Sequence, residues 1–143
     1  MTQSDMREIL LHGSPDDAFD RSVLFARRMA ESFGARLHVL YTIEDPLSAG
    51  WTAELSAERL PELHEAIETE ARDRLARLIP HDEQERLGIL FALRMGPAAE
   101  ELVRYTTEND VALAIVQARA GDRDTGLAHA LLEKGRCAVL VLR

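Results

Sequence analysis

The ten residues from 117 to 126, Gln-Ala-Arg-Ala-Gly-Asp-Arg-Asp-Thr-Gly, lie between two apolar runs and hold two glycines, two arginines and a threonine. Glycines let main-chain amides turn toward a ligand and arginines supply fixed positive charge, so this is the composition of a loop that could cradle an anion. A second cluster, His12-Gly13-Ser14, follows the short apolar run 9–11. His12 could act as a base or meet an anion, and its plainer reading is a polar turn residue. Ser14 could be a nucleophile in principle, but the Gly-x-Ser-x-Gly elbow that would expose it is absent, and its position suits a helix N-cap. The histidines, His12, His38, His64, His81 and His129, are dispersed with no i, i+4 pair and no Cys/His spacing, so no metal site is expected. Cys137 stands alone, which excludes an internal disulfide and a multi-cysteine zinc cluster; it reads as a small hydrophobe. No residue set amounts to a catalytic constellation.

The elements that would position these residues follow from periodicity. Residues 111–116 and 138–142 are unbroken aliphatic runs, which suit parallel strands covered on both faces. After Ser14, Pro15 suits a first helical position, and Phe19, Val23, Ala26, Ala30 and Phe33 mark one helical face that Gly34 ends. Residues 37–43 form a second strand closed by Pro46, and residues 46–53, with Gly50 and Trp51, read as an irregular crossover or lid. A long helix with Leu60, Leu63, Ile67, Ala71, Leu75 and Leu78 as its inner stripe starts near Ser56 or at Pro61. Pro80 and the polar run 81–86 read as a connection, 89–93 as a third strand, and 98–108 as a helix with Leu102 and Tyr105 inward. A last helix spans 127–134, and Gly135 stops it.

Strands alternating with helices in this way predict an α/β fold: one domain over residues 1–143, with a doubly wound, Rossmann-like, five-stranded parallel sheet and helices on both faces. Ligands of such sheets bind outside the carboxyl ends of the strands, where the strand order reverses. Those ends are His12 to Ser14, Thr42 to Asp45, Arg94 to Gly96 and Gln117 to Gly121. The same element order occurs in phospho-receiver domains, but these need an acceptor Asp ending strand three and a Lys ending strand five. This chain has Arg94-Met95 and Arg143 there.

The bulk composition narrows the partners. At 143 residues with 46% hydrophobic and 29% charged residues, the chain can bury a proper core. A net charge of −8 with interleaved basic residues argues against nucleic acid. No apolar run approaches the roughly 20 residues of a membrane span, and the N-terminus lacks a secretory signal. The expected location is the cytoplasm.

Four segments together resemble the universal stress protein family. They are Ile9-Leu-Leu-His-Gly-Ser14, Gly34-Ala-Arg-Leu-His-Val-Leu-Tyr-Thr-Ile43, Gly96-Pro-Ala-Ala-Glu100 and Cys137-Ala-Val-Leu-Val-Leu-Arg143, in the family's order and spacing. The resemblance implies a role in the stress response and a homodimer paired through the last strands. In some members it also implies ATP or AMP at the strand carboxyl ends. The nucleotide-binding branch spaces its glycines by two and then nine residues, with a hydroxyl residue after the last. Here Gly121, Gly126 and Gly135 are separated by four and eight residues, and Arg136 follows Gly135. Gln117-Ala118 replaces the Gly-Ser that often follows strand four, and His12 replaces the usual Asp. Asp122 and Asp124 add negative charge where phosphates would lie.

The expectation is therefore a stress-response binding protein with unknown protein partners, pairing with itself through residues 138–142, with no usual ATP site and no cofactor. An apolar final strand at a sheet edge reaches the same dimer independently, since a copy of itself would cover it. The alternative is an ATP- or AMP-binding switch or slow ATPase using Mg²⁺. Its cleft would comprise His12, Gly13, Ser14, Thr42, Ile43, Ala118, Gly121, Arg123 and Gly126, with Gly121, Arg123 and Gly126 on the phosphates and Thr42 and Ile43 flanking adenine.

Overall fold

The structure is a computed structural model that describes residues 6–13, 18–43, 60–118 and 126–143. Its elements in chain order are β1 (Glu8–Gly13), α1 (Phe19–Phe33), β2 (Arg36–Ile43), α2 (Leu60–Leu78) and α3 (His81–Leu87), then β3 (Leu90–Met95), α4 (Ala98–Glu108), β4 (Leu113–Gln117), α5 (Gly126–Lys134) and β5 (Ala138–Leu142). The strands form one parallel sheet in the order β3-β2-β1-β4-β5, so the winding reverses between β1 and β4.

The unbroken apolar runs of the central strands β1, β2 and β4 are explained by burial on both faces, whereas β5, also expected to be covered on both faces, lies at the sheet edge and buries none of its residues. Ile9, Leu11, Leu37, Val39, Tyr41, Leu113 and Ile115 pack with α1 and α2 on one side. Leu10, Leu40, Ala114 and Val116 pack with Leu102, Tyr105, Ala128 and Leu131 on the other. Each fully buried leucine or isoleucine contributes about 1.5–3 kcal/mol over its exposed state, so neither layer is dispensable. Along α2, Ala71 and Leu75 are buried, whereas Leu63, Ile67 and Leu78 are half-buried.

Several expectations need correction. Residues 81–86 belong to a short helix, α3, not an irregular connection. It buries no residue; Pro80 starts it, Asp82 and Glu83 sit in its first turn, and Gly88 ends it in the left-handed region at φ 67°. Its causes are therefore its ends and its dipole, not an apolar stripe. Phe33, expected on the inner face, is 52% exposed: the buried stripe of α1 ends at Ala30, one turn before Gly34 reverses the chain at φ 63°. The position capping α1 is Ala18, with no side-chain cap, so the helix starts later than Pro15 would have it. Ser14 itself lies outside the described residues, as does the crossover 46–53. The third and fourth strands are shifted toward the carboxyl side, to Leu90–Met95 and Leu113–Gln117.

Candidate functional site

The cleft expected at the strand carboxyl ends is partly described. His12 and Gly13 end β1, Thr42 and Ile43 end β2, Ala118 follows β4, and Gly126 opens α5. Ser14, Gly121 and Arg123 lie outside the described residues.

His12 and Thr42 are brought together. Strand alternation puts both on the face covered by α4 and α5, and His12 Nε2 lies 2.7 Å from Thr42 Oγ1. The imidazole in place of an aspartate is thus tied to a neighbouring strand's hydroxyl. Beside it, Gly13 has a steric reason to be glycine. A Cβ there would stand 2.9 Å from Cε1 of both Phe19 and Tyr41, two buried rings in edge contact with centroids 5.2 Å apart. Arg74 lies over Phe19, and Tyr41 leans on Phe91, so an aromatic row floors the sheet's other face near this end. Ile43 O accepts a hydrogen bond of 2.9 Å from the amide of Gly96, which joins the ends of β2 and β3.

The reversal point itself is bridged by Gln117, which ends β4 at the expected carboxyl-end cleft but was not among the residues expected to bind a ligand there. Its Oε1 accepts from Ser22 Oγ on α1, and its Nε2 donates to the carbonyls of Ala118 and Leu142. The amide of Ala118 donates to Leu142 O at 2.7 Å, and Arg21 Nη2 reaches Arg143 O at 3.1 Å. So one amide side chain ties α1, β4 and β5 together at the carboxyl end of β4. Gln117 stood out in the sequence only as a departure from the glycine pattern; its bond to Ser22 spans 95 positions and left no local signal.

The entrance to α4 is already balanced electrostatically. Glu100 and Glu101 occupy its first turn, and the buried Glu101 accepts a 2.7 Å bond from Arg104. Carboxylates there match the positive helix end and disfavour a further anion. Gly96, at φ 140°, holds the turn beside Glu101; a side chain would come 3.3 Å from Glu101 Cγ.

A second polar cluster lies toward the amino end of the strands, where no site was expected. His38 is buried, with Nδ1 2.7 Å from Tyr105 Oη and Nε2 2.7 Å from Glu8 Oε1, and Arg36 Nε donates to the same carboxylate at 2.9 Å. Burial pushes the Glu8 carboxyl up, but hydrogen bonds from Arg36 and His38 outweigh it and hold the group below the usual Glu range. Burial also pushes the Tyr105 hydroxyl up, which keeps it a donor.

Comparisons with known proteins agree with this architecture. The universal stress protein family matches the chain over residues 7–143. Universal stress protein UspA from Lactobacillus plantarum is similar at 17% identity and a TM-score of 0.67, over 99% of this chain and 100% of that one. A universal stress protein family member from Burkholderia pseudomallei is 22% identical with a TM-score of 0.66, over 99% and 98%. A universal stress protein solved in complex with cAMP is 18% identical with a TM-score of 0.63, over 98% of each chain. No curated protein matches the chain. The family match over nearly the whole length, on a five-stranded parallel sheet of this order, makes the chain a member of the universal stress protein family.

Proposed function

We propose that this chain is a homodimeric stress-response binding protein that works through protein partners in the cytoplasm and does not take ATP in the usual way. The observation that carries this reading is the bridge at the reversal point. Gln117 spends its amide on Ser22, Ala118 and Leu142, while His12 and Thr42 hold each other. A nucleotide would have to displace bonds that the fold already uses, and the loss of those bonds would offset what its phosphates gain. The glycine spacing and the carboxylates opening α4 support the same conclusion.

The neighbour solved with cAMP supports a second reading, a nucleotide-binding switch. In that case Gly121, Arg123 and Gly126 would hold phosphates, and Thr42 and Ile43 would flank the base. The test is a thermal-melt titration of the purified chain with ATP, AMP and cAMP, each with and without Mg²⁺. A ligand that binds only the folded state adds about 2.7 kcal/mol at 100 times its dissociation constant, several degrees for a domain of this size. The expected result is no saturable shift at millimolar nucleotide. A saturable shift, abolished by Arg123→Ala, would establish the switch instead.

A further inference from the structure

The outer surface of the helical layer formed by α1 and α2 carries two unlike grooves. The groove along α1 is centred on Leu24 and Phe25, which are 44% and 37% exposed, and is lined by Arg21, Arg27 and Arg28 against a single carboxylate, Glu31. The groove along α2 is floored by the small residues Ala66 and Thr69 and lined by Glu62, Glu65, Glu70 and Asp73 against a single arginine, Arg77. One surface therefore offers two large apolar side chains inside a basic frame. The other offers a shallow floor of small side chains inside an acidic frame.

The two frames agree in scale. Arg21 and Arg28 are seven positions apart, about 10 Å along a helix at 1.5 Å per residue. Glu62 and Glu70, like Glu65 and Asp73, are eight apart, about 12 Å. Arg28 and these four carboxylates form no ion pair within the chain among the described residues. Several other charges on the same helices are paired, as Arg27 is with Glu31 and Glu83, Arg72 with Glu68, and Arg74 with Asp20.

Within one chain these surfaces cannot meet. α1 and α2 lie side by side over the same face of the sheet, joined by Arg74 and Asp20, and both grooves face outward. A second copy supplies the missing half of each. We propose that this helical face is a self-association surface, on which α1 of one chain seats against α2 of another. Leu24 and Phe25 fill the Ala66–Thr69 hollow, and Arg21 and Arg28 meet the carboxylates. Facing copies can make the contact in both directions at once, which buries both grooves in each chain. Opposite charge on the two surfaces specifies the pairing and steers it at low salt. This contact is separate from pairing at β5.

The experiment is sedimentation velocity of the full-length chain carrying Val141→Lys, which blocks edge pairing, across protein and salt concentration. The expected result is reversible association that weakens as salt rises. Arg28→Glu alone and Asp73→Arg alone should each weaken it by at least about tenfold, since each sets like charges together. An equimolar mixture of those two variants should associate like the parent, because each mutated helix then meets its complement. All three substitutions are on exposed positions, and circular dichroism verifies that each chain folds. A Val141→Lys chain that stays monomeric at low salt overturns the proposal. So does association that Arg28→Glu leaves unchanged, or a mixture that does not recover. Loss of mass on going from the natural chain to Val141→Lys reports on the β5 pairing alone, so the two readings fail separately.

Discussion

The residue with the most to lose is His38. It is 1% exposed, and both its ring nitrogens have partners on other elements. The Glu8 carboxylate can only accept, so in the neutral imidazole Nε2–H donates to it and Nδ1 accepts from the Tyr105 hydroxyl. Tyr105→Phe removes that donor while keeping the ring, and strands a buried acceptor. Urea unfolding should show a loss of about 1–3 kcal/mol, and a neutral outcome would mean that the bond adds nothing. The carboxylate makes a separate prediction. Its folded-state pKa lies below its unfolded value of about 4.5, so its contribution is fully present above that value and is lost as pH falls through the folded one. Stability measured from neutral pH into the acid range should therefore fall less steeply in Glu8→Gln than in the natural chain. None of this was legible in the sequence. Glu8 and His38 are 30 positions apart, and His38 and Tyr105 are 67 apart, so the histidine read as one of five scattered ones. The candidate cleft fared similarly. Its location followed from the strand ends, but the bonds among His12, Thr42, Ser22 and Gln117 depend on parallel register that no local pattern states.

At the scale of elements, legibility tracked hydrophobic periodicity. Ala98–Glu108 and Ala138–Leu142 were readable to the residue, because Leu102 and Tyr105 mark a buried helical face and an unbroken aliphatic run marks a strand, although β5 buries none of its residues. α3 was missed because its sequence, His-Asp-Glu-Gln-Glu-Arg-Leu, holds one apolar residue and buries none. What makes it a helix is its termini, and Gly88 is the testable one. Gly34 and Gly88 share nearly the same left-handed conformation, at φ 63° and 67°. Around Gly34 a Cβ meets nothing within 4 Å, whereas at Gly88 it would come 3.3 Å from Arg36 Cγ. Alanine at either position should cost about 1–2 kcal/mol of backbone strain. Gly88→Ala should cost more, because Arg36 must move and Arg36 holds Glu8. Parallel thermal melts of the two variants make the comparison, and a larger loss at Gly34 would contradict it.

At the scale of the whole molecule, the sheet ends in an apolar strand with a neighbour on one side only. β5 pairs with β4 from Leu113–Ala138 to Gln117–Leu142, and Val141 is 39% exposed beyond it. The strand order makes β5 an edge, as expected of the last strand in a doubly wound chain. An edge of this kind invites a further strand, and a second β5 about a two-fold axis is the partner always at hand. Association must work against a net charge of −8 on each chain, so screening by salt should favour it. Contact between the α1 and α2 faces, being an attraction of opposite charges, should respond to salt with the reverse sign. The natural chain is expected to sediment as at least a dimer whose β5 contact persists in high salt. Val141→Lys should remove that salt-resistant association while leaving the fold intact, because a lysine at a strand edge stays solvated in the single chain but faces its own copy in the pair. A high-salt dimer that survives Val141→Lys would mean that the edge is not the contact.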